Sequence, residues 1–121
     1  MNDDEKKFES GLAHFNSARF FEAHEAWEEL WLAAAEPEKT YLQGLIQVAA
    51  AFHHQARGNP GGAQSLLAAG TAKLAHCPDE YRGLAVADLR GEIAQWVEIL
   101  SRRDGCGERK PPLIRRNQMP G

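Results

Sequence analysis

The stretch that decides the fold runs from Phe20 to Leu32 and reads FFEAHEAWEELWL. At 3.6 residues per turn, residues four apart lie about 40° from one another around a helix. A helix over this stretch therefore places His24, Glu28 and Trp31 in one stripe with Phe20. The remaining acids gather on a different side, which we expect to face solvent: Glu22, Glu25, Glu29 and Glu36.

The His24–Glu28 pair is the most informative feature of this helix, because a carboxylate on an apolar face is costly unless it is paired or neutralised. One interpretation is an i,i+4 ion pair or hydrogen bond that only stabilises the helix. The other is a chemical site, in which the two side chains share a metal or act as acid and base. The string HEAWE ends in Glu28 where the zinc motif HExxH has a histidine, so the zinc-protease interpretation is rejected.

Length and composition favour one helical domain. The chain has 121 residues, of which 43% are hydrophobic, and it is rich in Ala, Leu and Glu. We predict an all-α bundle of about five helices over residues 1–101, followed by an irregular, basic, Pro/Gly-rich tail over residues 102–121. Helix 3 is expected over Glu38–Arg57, helix 4 over Gly62–Ala75 and helix 5 over Asp88–Ser101, with a loop around Tyr81.

The helix ends are predicted from the polar residues beside them. Asp3 or Asp4 is expected to cap the first helix, whose buried stripe comprises Phe8, Leu12 and Phe15. Asn16 and Ser17 are expected to form a turn and to supply the cap of the central helix.

Several function classes are disfavoured by composition. No apolar run is long enough to span a membrane, and the acidic, polar N-terminal sequence MNDDEKKFES argues against a secretory signal peptide. We therefore predict a cytoplasmic protein in which Cys77 and Cys106 are reduced thiols. A formal net charge of −3 gives no reason to expect nucleic-acid binding by the helical domain.

The tail is the exception to that charge argument. It contains basic pairs that would suit an acidic partner or nucleic acid, although such tails are often only solvated: Arg102-Arg103, Arg109-Lys110 and Arg115-Arg116. The segment PPLI, at residues 111–114, is also predicted to lie in a groove of the helical domain.

The third helix carries an unusual polar stripe made of Gln43, Gln47 and His54, which span about 40° of the helix wheel. This stripe is either the solvent face of the helix or the lining of a polar cavity. Its neutral amides and imidazole both donate and accept hydrogen bonds, which suits a cavity. His53 points about 80–100° away and is interpreted as a core or rim residue.

These patterns resemble a small bacterial and archaeal family known as domain of unknown function 309. The resemblance covers roughly Phe8 to Leu100 and is carried by FNSARFFEAHEAWEELWL, YLQGLIQVAAAFHH and GNPGGAQSLL. Its most specific element is the pattern H-x-x-x-E-x-x-W, met by His24, Glu28 and Trp31. The resemblance implies a compact all-helical domain and a site at these residues, and it implies no reaction.

A short Pro-containing loop between the second and third helices predicts antiparallel packing, which brings His54 level with His24. We therefore expect one pocket between them, with His24 and Glu28 as candidate catalytic residues and with Trp31, Gln43, Gln47, His53 and His54 as candidate ligand-binding residues.

Three functions remain open for this pocket. It binds a small polar or aromatic ligand. Alternatively, it is a hydrolase site in which Glu28 is the general base and a divalent metal is held by His24, Glu28 and His54. In the third alternative, the polar side chains of the pocket form a hydrogen-bond network that only fixes helix packing, and the outer surface of the domain binds a protein partner. Whether the chain is an enzyme, which cofactor or partner it takes and whether it forms a homo-oligomer are left open.

Overall fold

A computed structural model describes residues 2–102 and 110–116 of the chain, and over these it confirms the all-α class. Five helices account for most of the described residues, and one short β-hairpin lies between the fourth and fifth helices. In order, the elements are α1 (Asp3–Asn16), α2 (Phe20–Ala33), α3 (Glu38–Ala56), α4 (Pro60–Leu74), β1 (Glu80–Tyr81), β2 (Leu84–Ala85) and α5 (Val86–Arg102). None of the described helices combines the length and apolar character needed to cross a membrane.

Two of the helix caps differ from those expected. Asn2 caps α1, because its side-chain oxygen accepts a hydrogen bond from the Glu5 amide at 2.8 Å, so the expected cap by Asp3 or Asp4 was wrong. The residue before α2, Arg19, makes no side-chain capping bond. At α4 the cap is Asn59, which accepts from the Gly62 amide at 3.1 Å, and the helix begins at Pro60.

The core is centred on Trp27, a fully buried residue of α2 that faces α1. Its indole nitrogen donates a hydrogen bond to the Phe8 carbonyl at 3.1 Å, and its ring stacks on Phe15 with centroids 6.0 Å apart. Phe52 of α3 extends this aromatic cluster to Trp96 of α5 at 5.2 Å. The predicted stripe of α1 is confirmed, since Phe8, Leu12 and Phe15 are all buried.

Helix α3 packs against both α2 and α4. On the α4 side the backbones approach closely, because the position of a Cβ on Gly70 would lie only 3.0 Å from Val48 and 3.1 Å from the Gly44 carbonyl. The α4-facing side of α3 is thus set by Gly44 and Val48. The opposite side of α3, which includes His53, packs against α2.

The PPLI segment docks on the helical domain, as the sequence predicted. Ile114 is 2% exposed, and the Asn16 side chain holds its backbone at both ends, accepting from the Ile114 amide at 2.8 Å and donating to its carbonyl at 3.0 Å. The Ala85 amide donates to the Arg115 carbonyl at 2.7 Å, so the segment extends the hairpin as a partial third strand. The Asn16 side chain therefore binds the tail and, contrary to the expectation from the sequence, does not cap α2. The predictions made for Cys106 and for the basic residues at 103 and 109 lie outside the described residues.

Tyr81, which the sequence placed in a loop, ends β1 and joins three elements. Its hydroxyl donates to the Glu38 carboxylate at 3.2 Å and accepts from the Arg82 guanidinium at 3.2 Å. Its ring packs edge-on against Phe8 and Tyr41. Burial is the main reason why the pKa of Tyr81 is raised to about 12, and the Glu38 carboxylate acts in the same direction.

This raised pKa predicts a loss of stability in alkali. The unfolded chain releases the Tyr81 proton near pH 10, while the folded protein holds it until about pH 12, so the folded state binds more protons between these values. We expect the free energy of unfolding to fall by about 2 kcal/mol as the pH rises across this window. Urea unfolding of the wild type and of Tyr81→Phe measures the effect. Equal slopes against pH in the two proteins would contradict it.

Candidate functional site

His24 and Glu28 form the predicted pair on α2. Nε2 of His24 lies 3.3 Å from Oε2 of Glu28, and the two side chains are 30% and 47% exposed. The i,i+4 contact is therefore present, but it lies at the protein surface. Solvent and an incoming ligand both have access to the Glu28 carboxylate.

Phe21 joins this pair to α3. Its ring stacks on the His24 imidazole with centroids 6.1 Å apart and lies 5.5 Å from the ring of His53. Phe21 is nonetheless 48% exposed, which is unusual for a large aromatic side chain. Sequence reasoning missed this residue as part of the site, although the 3.6-residue period of a helix places Phe21 only about 60° from His24.

The two histidines of α3 face different neighbours, because consecutive helical residues are about 100° apart. His53 contacts Phe21 on the α2 side, whereas Nδ1 of His54 lies 3.0 Å from the side-chain amide nitrogen of Asn59, at the start of α4. The structure therefore brings His53, and not His54, beside Phe21 and the His24 pair. The sequence alone favoured His54 because it shares a stripe with Gln43 and Gln47.

Two contacts fix how α2 and α3 align. Phe21 meets His53 at one end, and the Lys39 ammonium donates to the Trp31 carbonyl at 3.0 Å at the other. The helices are thus antiparallel, as expected, and Gln47 is level with the turn that follows His24. Gln43 is half-buried and lies one turn earlier on α3, which places it nearer to Trp31 along the helix axis.

Three buried polar atoms of these two helices have no hydrogen-bond partner among the residues that the structure describes: Nδ1 of His24, Nε1 of Trp31 and Oε1 of Gln47. Buried polar groups are nearly always paired, because an unpaired one costs about 1–3 kcal/mol. The set contains a donor, an acceptor and an imidazole nitrogen that serves as either. The structural alternative requires His24, Glu28, Gln47 and His54 to satisfy one another, and His24 and Gln47 each keep one buried atom without a partner among the described residues.

The groove beside the pair opens to solvent. It has a volume of about 300 Å³ and is lined along α2 by Phe21, His24, Glu25, Glu28, Glu29 and Leu32. Trp31 is not part of this lining, and the Lys39 ammonium lies 4.5 Å from the centre of its ring. That cation–π contact covers one face of the ring, so Trp31 offers its indole N–H more readily than a stacking surface.

The predicted metal set of His24, Glu28 and His54 is not assembled. Among the described residues, no group of three or more His, Cys, Asp and Glu side chains is placed to hold a metal ion. The physical reason is the rotation of His54 toward Asn59. A metal ion would find only the His24–Glu28 pair here, which is fewer protein ligands than known catalytic zinc sites provide.

With this geometry in place, comparison with known proteins gives the family. The sequence profile described as "Domain of unknown function (DUF309)" matches residues 8–66, a stretch that contains α1 from residue 8 onward, all of α2 and α3, and the first turns of α4. Residues 8–66 belong to the DUF309 family. The DUF309 region thus includes every site residue predicted from the sequence, from His24 to His54.

Two relatives of the chain are uncharacterised proteins. One is an uncharacterised protein of Aquifex aeolicus (strain VF5), 33% identical over 82 residues, which are 67% of this chain and 25% of the relative. The other is the uncharacterised protein YpuF of Bacillus subtilis (strain 168), 38% identical over 91 residues, which are 74% of this chain and 49% of the relative. The aligned part of the chain thus spans a quarter to a half of these longer relatives.

Proposed function

We propose that the α2–α3 face of this DUF309 domain binds a small polar or aromatic ligand, with His24 and Glu28 at the centre of the site. The observation that supports it is the coincidence of an open groove beside Glu28 with three unpartnered buried polar atoms on the same two helices. A ligand that enters there relieves the cost of those atoms by hydrogen bonding to them.

Each residue has a definite part in this proposal. Glu28 accepts hydrogen bonds from the ligand, the Trp31 indole donates one, and Gln47 accepts another. His24 donates or accepts according to its tautomer. Phe21 and His53 supply flat surfaces for a ring or an amide group, while Gln43 and His54 extend the polar stripe along α3.

Ligand binding is favoured over the alternative of a metal-dependent hydrolase that uses Glu28 as general base. The hydrolase needs a third metal ligand, and the described residues supply two. The purely structural alternative is also less favoured, since a network that only fixed packing would leave no buried polar atom unpaired.

The indole N–H of Trp31 provides the experiment. In ¹⁵N-labelled protein, a library of neutral polar and aromatic fragments should contain members that shift the Trp31 indole resonance. The Trp27 resonance should not move, because that indole is buried and bonded to Phe8. His24→Ala and Glu28→Gln should each weaken such binding by about tenfold, the equivalent of one charge-assisted hydrogen bond.

The control variant is His76→Ala, which removes an exposed histidine beyond α4 and should leave fragment binding unchanged. If no fragment moves the Trp31 resonance, the proposal is wrong. If ZnCl2 alone binds stoichiometrically and the binding is lost in His24→Ala, the site is a metal site instead.

A further inference from the structure

The outward face of α2 is apolar at both ends and acidic in the middle. Phe21 and Leu32 are 48% and 65% exposed, and with Leu113 they are the large exposed hydrophobic side chains of the described residues. Phe21 and Leu32 are eleven positions apart, which corresponds to about 16 Å along the helix and a rotation of only about 20°. They therefore belong to one stripe, which we call the α2 outer stripe and which also contains Glu25, Glu28 and Glu29.

The carboxylates of the α2 outer stripe lie between its two hydrophobic ends. Glu28 and Glu29 are 47% and 62% exposed, and Glu25 is also exposed. Two lysines of α1, Lys6 and Lys7, lie beside Glu25 and Glu29, and Lys7 contacts Glu29 at 3.5 Å. The stripe thus presents more negative than positive charge beside an open groove.

We infer that the α2 outer stripe is a docking surface for a basic amphipathic helix of another protein. Such a helix places apolar side chains against Phe21 and Leu32 and lysines or arginines against the glutamates between them. Helices that lie in a groove use apolar anchors that recur on one face. Anchors eleven residues apart fall on one face of such a helix and match the separation of Phe21 and Leu32. Complementary charge also accelerates association and selects the partner.

Charge disfavours the other occupants of this surface. A second copy of the chain that docked through the same face would oppose glutamates with glutamates. Nucleic acid and anionic membranes are repelled for the same reason. The described part of the basic tail is held elsewhere, since Ile114 is buried beside Asn16 and Arg116 is paired with Glu9.

The test uses a short helical peptide with two leucines eleven residues apart and four lysines between them on the same face. We expect it to bind the full chain, as measured by fluorescence anisotropy, and to bind more weakly as salt increases. Leu32→Ser should weaken binding by about tenfold, the scale of one leucine side chain leaving a contact. Glu25→Lys with Glu29→Lys should have a similar effect.

Matched controls separate this surface from others. Leu113→Ser removes another exposed leucine, which lies beside α5 and outside the groove of α2, and should leave peptide binding unchanged. A peptide whose leucines are replaced by alanine should bind at least about tenfold more weakly than the parent peptide. The inference is wrong if the two peptides bind equally, if Leu113→Ser acts like Leu32→Ser, or if the parent peptide does not bind.

The α2 outer stripe shares Phe21, Glu28 and its groove with the proposed small-ligand site. Gln47 of α3 separates the two proposals, because it belongs to the small-ligand site and lies outside the stripe. Gln47→Ala should weaken fragment binding and leave peptide binding unchanged, so the two proposals can fail separately.

Discussion

Gly11→Ala is expected to lower the free energy of unfolding by about 2–3 kcal/mol. The position of the added Cβ would be 2.2 Å from Nε1 of Trp27 and 2.5 Å from Cδ1, far inside van der Waals contact. The Trp27 ring cannot yield easily, because it is fully buried against Phe8 and Phe15 and bonded to the Phe8 carbonyl. Urea unfolding followed by tryptophan fluorescence measures the loss.

Gly91→Ala is the matched control for this substitution. Gly91 lies in α5, and no atom is within 4 Å of the Cβ it would gain. Alanine there should stabilise the protein by about 0.5–1 kcal/mol, since it restricts the unfolded chain and favours the helix. A Gly11→Ala protein as stable as wild type would show that the α1–α2 contact is looser than described.

Ile114→Ala is expected to cost about 2–3 kcal/mol, which is large for a residue in a tail without helix or strand of its own. Ile114 is 2% exposed, and its backbone is bonded to Asn16, so truncation leaves a cavity under a segment that is otherwise held in place. The comparison variant is Leu113→Ala. That neighbour is 50% exposed and should change stability by less than about 0.5 kcal/mol.

The denaturant midpoints of Leu113→Ala and Ile114→Ala test whether the tail segment packs on the helical domain. If Leu113→Ala and Ile114→Ala have equal effects, then residues 110–116 are not packed on the helical domain as described. A large loss at Ile114 alone would support a partial third strand beside the hairpin, with β2 between β1 and the tail.

Most of the helices were predictable because their signals are local. The 3.6-residue spacing of apolar side chains in α1, α2 and α5 depends only on neighbours along the chain, and Gly58, Asn59 and Pro60 mark the boundary before α4 in the same way. The short strands β1 and β2 were missed for the opposite reason. Two-residue strands carry no periodicity, and they exist here because Tyr81 and Leu84 are buried by other elements.

The candidate site was predicted in part. The sequence by itself placed His24 and Glu28 one turn apart and made α3 antiparallel to α2, because helix geometry and a short connection suffice for both. It misjudged the histidines of α3, since a shared stripe does not show which neighbour that stripe faces. Gly44 and Val48 pack against α4, and that contact rotates His54 toward Asn59 and His53 toward Phe21.

The sequence by itself thus determined the helical class, the positions of the helices and the pairing of His24 with Glu28, because each depends on residues within a few turns of one another. Only the tertiary structure decided that Asn16 holds Ile114, that His53 joins the site and that Phe21 and Leu32 stay exposed. Those outcomes depend on how each helix is rotated about its axis and how closely it approaches its neighbours when the side chains pack. The spacing of residues within one helix does not determine that rotation, because the rotation is set by contacts with other helices.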